Sequence, residues 1–101
     1  MNQMQAMIAQ AQKMQRDLTK ALNELAEKEF SCSKGGAVTV KMLGSYEIKG
    51  IDIDKDAFEP DNKEMIEDMI ALAINELIEQ IDEAKAEINE RITGRREGMG
   101  L

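Results

Sequence analysis

Apolar residues fall at two different periods along this chain, and the changes of period divide it into three parts. Met4, Met7, Ala11, Met14, Leu18, Ala21 and Leu25 follow one another at intervals of three and four, with Ile8 and Leu22 widening the stripe on one side. That spacing predicts an amphipathic helix over about residues 2–28, in a stretch that neither Gly nor Pro interrupts. Met is flexible and Ala buries little area, so the seam is softer than one of Leu and Ile. It suits close packing within a fold, as a core stripe, better than a free-standing coiled coil or a docking face for membranes or varied ligands.

Beyond Glu29 the period falls to two. Phe30 and Cys32 alternate with serines, Lys34-Gly35-Gly36 supplies the turn residues of a hairpin, and Val38, Val40 and Met42 mark one face of a second strand, with Thr39 and Lys41 on the other. Gly44-Ser45 forms the next turn. A third strand spans about residues 46–54, but its apolar parity slips, since Ile48 is even while Ile51 and Ile53 are odd. Gly50 lies where the slip occurs and predicts a bulge or bend. Together these segments make a three-stranded antiparallel meander over about residues 29–54, with an edge open for pairing across a subunit interface.

The helical period then returns. Pro60 announces the second helix, with Asp61 as N-cap and Glu64 three residues on, and the acidic groups of the first turns suit the positive end of the helix dipole. The helix extends over about residues 61–93 to a stop at Gly94. Met65/Ile66, Met69/Ile70, Ala73/Ile74 and Leu77/Ile78 come in pairs, giving its first half a face wide enough for two surfaces, its own sheet and a partner. After Ile81 the stripe narrows to Ala84, Ile88 and Ile92, and Arg91, Arg95 and Arg96 turn the end basic. A short flexible tail, residues 94–101, follows.

The proportions set the fold class. Two long helices enclose only about 25 strand residues, and a single α+β domain of 101 residues cannot bury both helical faces on so small a sheet. Part of the core must come from another subunit, so the expected fold is one α-β-β-β-α domain over residues 1–101, intertwined with its like in an obligate oligomer.

Composition narrows the chemistry. With 43% apolar residues and regular periodicity the chain folds despite 33% charge. No apolar run approaches 20 residues and no signal-peptide pattern opens the chain, so a cytoplasmic location is expected. Cys32 is alone and reads as a small buried hydrophobe rather than a reactive thiol. Histidine is absent, which removes the usual general base and the usual metal ligand together. Asp52, Asp54 and Asp56 are spaced like the start of a calcium loop, but Ala57 stands where that loop needs Gly and Lys63 where it needs Glu, so a solvated turn is expected. Carboxylates such as Glu67 and Asp68 fit capping and solvation, and neither enzyme activity, a cofactor nor a small-molecule substrate is expected. The net charge of −7 is unevenly spread: residues 1–50 hold seven basic and five acidic groups, residues 51–101 six and fifteen. The molecule therefore has faces of opposite sign.

Several short blocks form one ordered signature: QKMQ at 12–15, GAVTVK at 36–41, Gly44, IDID at 51–54, NKEMIEDMI at 62–70, then Ala73 and Asn75. In order and spacing this resembles the YbaB/EbfC family of bacterial nucleoid-associated DNA-binding proteins, over nearly the whole chain. The resemblance implies a homodimer whose long helices project as paired arms, with double-stranded DNA lying between or against them, in the nucleoid, and with no catalytic activity or cofactor. The basic residues available on such arms are Lys13, Arg16 and Lys20 on one side of the first helix, and Lys85, Arg91, Arg95 and Arg96 toward the end of the second. The competing role for the first three is a solvated helix face paired with Asp17 and Glu24. Lys and Arg on phosphates position a protein without reading bases, so little sequence preference is expected. The alternative is a non-catalytic adaptor or a prefoldin-like chaperone dimer, suited by an acidic surface and a Met-rich seam.

Overall fold

The computed structural model describes residues 2–94 and contains, in order, α1 (Gln3–Glu27), β1 (Glu29–Lys34), β2 (Val38–Leu43), β3 (Ile48–Ile53), two short 3-10 turns (Lys55–Ala57 and Pro60–Asn62) and α2 (Lys63–Thr93). This is the expected α-β-β-β-α order, with one antiparallel sheet in the order β1-β2-β3. The expected tail after Gly94, with Arg95 and Arg96, lies outside the described residues.

α1 opens on a reciprocal cap: the Gln5 amide donates to the Asn2 side chain at 2.8 Å, and the Asn2 amide donates to the Gln5 side chain at 3.2 Å. The β1–β2 connection uses two left-handed residues, Gly35 (φ 57°) and Gly36 (φ 67°), a conformation that costs glycine nothing. The parity slip in β3 is a bulge: Lys41 pairs with Gly50 and Met42 with Ile48, leaving Lys49 as the extra residue. Residues opposed across antiparallel strands share a face. The bulge therefore returns Ile48, opposite Met42, to the side that carries Ile51 and Ile53, opposite Val40 and Val38.

α2 lies across that apolar side. Val38, Val40 and Met42 of β2 and Ile66, Ala73, Leu77 and Ile81 of α2 are buried in one cluster, with Cys32 from β1. α2 covers β1 and β2 but leaves β3 open, so Ile48 (43% exposed) and Ile51 (45%) face outward on the apolar side of the sheet. Ile70, Ile74 and Ile78 are only half-buried. Beyond Ile81 α2 leaves the sheet and runs along α1, where Ala86 and Asn89 are buried. The Asn89 side-chain amide donates to Lys85 O at 3.0 Å, and the Asn89 backbone carbonyl accepts from the Thr93 hydroxyl at 2.6 Å.

The two helices are antiparallel, with the end of α2 reaching α1 at Gln10 to Asp17. The helix pair is joined to the sheet at the other end of α1. There the Gly44 amide donates to Lys28 O at 2.9 Å and the Ser45 amide to Ala26 O at 3.1 Å, and a Cβ on Gly44 would stand 1.9 Å from Leu25 O. The molecule measures 71 × 20 × 16 Å.

Three expectations need correction. The α1 seam packs within the fold only from Met14 onward: Met4 (70% exposed), Met7 (63%) and Ile8 (52%) lie uncovered because α2 ends short of them. Asp61 is not the N-cap of α2. Pro60 starts a 3-10 turn instead, Asn62 stands at the cap without a side-chain bond to the helix, and its amide donates to Ala57 O at 2.9 Å. The third strand starts at Ile48 rather than near residue 46, because Tyr46 turns left-handed (φ 73°) to close the Gly44 turn.

Candidate nucleic-acid interface

The antiparallel docking of α2 on α1 sorts the basic residues into three groups. Lys13 and Arg91, far apart in sequence, share one groove between the helices, lined also by Gln10, Met14, Asp17 and Ile92. Arg16 and Lys20 line a second, shallow groove along α1 with Thr19, Asn23, Glu24 and Glu27. Lys85 belongs to neither.

Asp17 tempers the first group. Lys13 Nζ donates to its carboxylate at 2.9 Å, one helical turn on, and that bond holds the Asp17 pKa below its usual value. Both side chains are largely exposed, so the pair contributes little to stability and Lys13 can exchange partners at small cost. The expected pairing of the α1 cations with Asp17 and Glu24 is thus found for Asp17. Glu24 lines the groove of Arg16 and Lys20. Arg91 sits in the last turn of α2, where a cation suits the negative end of the dipole, and Gly94 closes the helix in the left-handed region (φ 79°).

Lys85 has other work. Its ammonium lies 4.3 Å from the centre of the Tyr46 ring, and the Tyr46 hydroxyl donates to Asp82 one turn earlier. The left-handed turn at Tyr46 aims the ring at α2, so this cluster staples the β2–β3 turn to the helix pair. Sequence patterning missed it because neither Tyr46 nor Asp82 belongs to a periodic stripe. Burial, then the Asp82 bond, push the Tyr46 pKa up to about 12. Tyr46 is the chain's one tyrosine, so tyrosinate absorbance reads it alone. The native protein should titrate near pH 12 and the urea-unfolded chain near about 10. A raised native pKa means that stability from this group is intact below about pH 10 and lost as pH rises through 12. Asp82→Asn should move the native midpoint downward.

A second cluster was also unforeseen. Cys32 is buried as expected, but its thiol donates to Glu76 Oε2 at 2.8 Å, and Lys34 Nζ reaches the same oxygen at 2.7 Å. Burial, then Glu76, push the thiol pKa up, which keeps it protonated and inert. The Asp52, Asp54 and Asp56 segment forms a turn in which Asp54 Oδ1 accepts from the Asp56 amide at 3.1 Å.

Against this geometry, the sequence matches the model of the YbaB/EbfC DNA-binding family over residues 1–96. The chain belongs to the YbaB/EbfC family. It is 45% identical over 89 residues to a nucleoid-associated protein of Clostridium novyi, covering 87% of this chain and 78% of that one. It is likewise 45% identical over 96 residues to a nucleoid-associated protein of Acetivibrio thermocellus (93% and 81% covered). A nucleoid-associated protein of Malacoplasma penetrans is 39% identical over 85 residues (84% and 90%). In this YbaB/EbfC chain the end of the helix pair is thus the place where cations from both helices meet. Among the described residues no helix is long and apolar enough to cross a membrane.

Proposed function

We propose that this protein is a nucleoid-associated DNA-binding protein, a cytoplasmic homodimer that holds duplex DNA by its phosphates through the end of the α1–α2 pair. The observation that carries this reading is the meeting of Lys13 and Arg91 in one groove, just before Arg95 and Arg96 in the sequence. Arg16 and Lys20 extend the basic surface along α1. Lys85, drawn over Tyr46, contributes least.

Charge limits how far the site runs back along α2. Glu76, Glu79, Glu83 and Glu87 line a groove that ends one turn before Arg91, and a duplex over that groove would meet repulsion. DNA is therefore held to the end of each arm, beyond Glu87. The homodimer is supported by the uncovered apolar side of β3, with Ile48 and Ile51, and by the half-buried Ile70, Ile74 and Ile78 of α2, which together offer a surface for a second copy. A two-fold axis then doubles the basic groove into two separated contacts. Contacts of this kind position the protein without reading bases.

The test is fluorescence anisotropy of mixed-sequence duplexes titrated with protein first verified as a folded dimer. Micromolar or tighter binding is expected at about 50 mM salt, falling steeply by about 200 mM as counterion release is suppressed, and nearly equal across sequences. An absence of binding at low salt would move the function to a protein partner, in line with the adaptor reading.

A further inference from the structure

We propose that the uncovered tip of α1 is a docking face for the tip of a second copy, joining one dimer to another, and that it couples neighbouring dimers on DNA. The DNA clause and the dimer that carries the tips rest on the proposed function; the pairing of tips does not.

The tip continues a seam that is already an interface. Met14 and Leu18 are half-covered and Leu25 is buried, whereas the exposed Ala11 lies level with the last residues of α2, and Ile8, Met7 and Met4 continue the same stripe past them. Positions 4–11 extend about 10 Å along the helix. Residues 2–12 carry no charged side chain, in a chain that is 33% charged with a net charge of −7. Away from the apolar side of β3 and α2, the charged surface repels a second copy, and this segment does not. It is apolar on one side and neutral on every other, so it opposes its own image without like-charge repulsion. An oppositely charged partner finds nothing there to recognise. An interfacial membrane helix would carry Lys or Arg on its polar face, where this segment has Gln3, Gln5, Gln10 and Gln12.

The size of the patch fixes its strength. Four side chains from each copy fall short of the roughly 1,000 Å² that a stable interface between independent molecules needs. Tip pairing is therefore weak in free solution and becomes effective where DNA holds many arms close together.

The experiment compares the full chain with Met4→Gln/Met7→Gln/Ile8→Gln, since Gln preserves helix propensity and adds no charge. In sedimentation equilibrium without DNA, wild-type mass should rise above the dimer over about a hundred-fold range of concentration, while the variant stays dimeric with unchanged circular dichroism. On long DNA the variant should keep its affinity for a short duplex and lose cooperativity. Three results would overturn the proposal: a wild-type mass that never exceeds the dimer, a variant that falls to monomer, or wild-type protein captured by phosphatidylcholine vesicles that do not capture the variant. Failure of DNA binding with tip association intact would count against the function proposed above and leave the docking face standing.

Discussion

Gly44→Ala should be severely damaging, costing about 3 kcal/mol. The added Cβ would stand 1.9 Å from the carbonyl oxygen of Leu25 and 2.7 Å from its carbon. Both are backbone atoms, so no rotamer relieves the overlap. Relief requires the end of α1 to separate from the β2–β3 turn, which breaks the bonds from Gly44 to Lys28 and from Ser45 to Ala26. It also uncovers Leu25, the one buried residue of α1. A loss of this size is a large share of the 5–15 kcal/mol typical of a folded domain. Urea unfolding followed by circular dichroism, at fixed protein concentration, reads it as a fall in midpoint. Gly50→Ala is the control, because nothing lies within 4 Å of a Cβ there, and its midpoint should scarcely move. Equal midpoints for the two variants would show that the α1 end is not seated on the turn.

Removing both cations of the shared groove, as Lys13→Gln/Arg91→Gln, should weaken DNA binding to a similar degree on every sequence. The slope of log affinity against log salt should flatten by about one unit for each phosphate that the variant leaves unneutralised. Lys85→Gln should change neither quantity much, since its ammonium sits on the Tyr46 ring. Asp17→Asn should act in the opposite direction, because it frees Lys13 from its 2.9 Å partner and removes a negative charge from the groove. Side by side, these variants separate a localised site from a general charge effect. If Lys85→Gln and Lys13→Gln/Arg91→Gln reduced affinity in proportion to the charge removed, and Asp17→Asn gained no more than any other neutralised carboxylate, the groove would have no special part.

What the sequence made legible was whatever depends on neighbouring residues. The slip from Ile48 to Ile51 announced the bulge because alternation is a local property of a strand, and the bulge restores all three isoleucines to one side. The paired apolar positions of α2 announced a face wider than one sheet could cover, and Ile70, Ile74 and Ile78 remain half-buried. Periodicity also said that α1 has an apolar stripe from Met4 to Leu25. It could not say how far the covering helix reaches, and α2 stops level with Gln10 to Asp17. The start of α2 was misplaced because Pro60 favours a tight first turn as readily as an α-helical one, and the Asn62 side chain bonds backward to Ala57. The basic residues were legible as a set but not in their grouping. Lys13 meets Arg91, and Lys85 is withdrawn from both, only through the antiparallel docking of two helices and a left-handed turn at Tyr46.

The slender shape has a practical consequence for anyone weighing this molecule in solution. A Cα radius of gyration of 19.2 Å compares with about 13 Å for a compact chain of about 100 residues. A rod of this kind diffuses slowly for its mass and emerges early from a sizing column, where it mimics a larger globular assembly. Retention volume alone would therefore report a higher oligomer whether or not one exists. Subunit number has to be taken from light scattering or sedimentation equilibrium, in which friction plays no part.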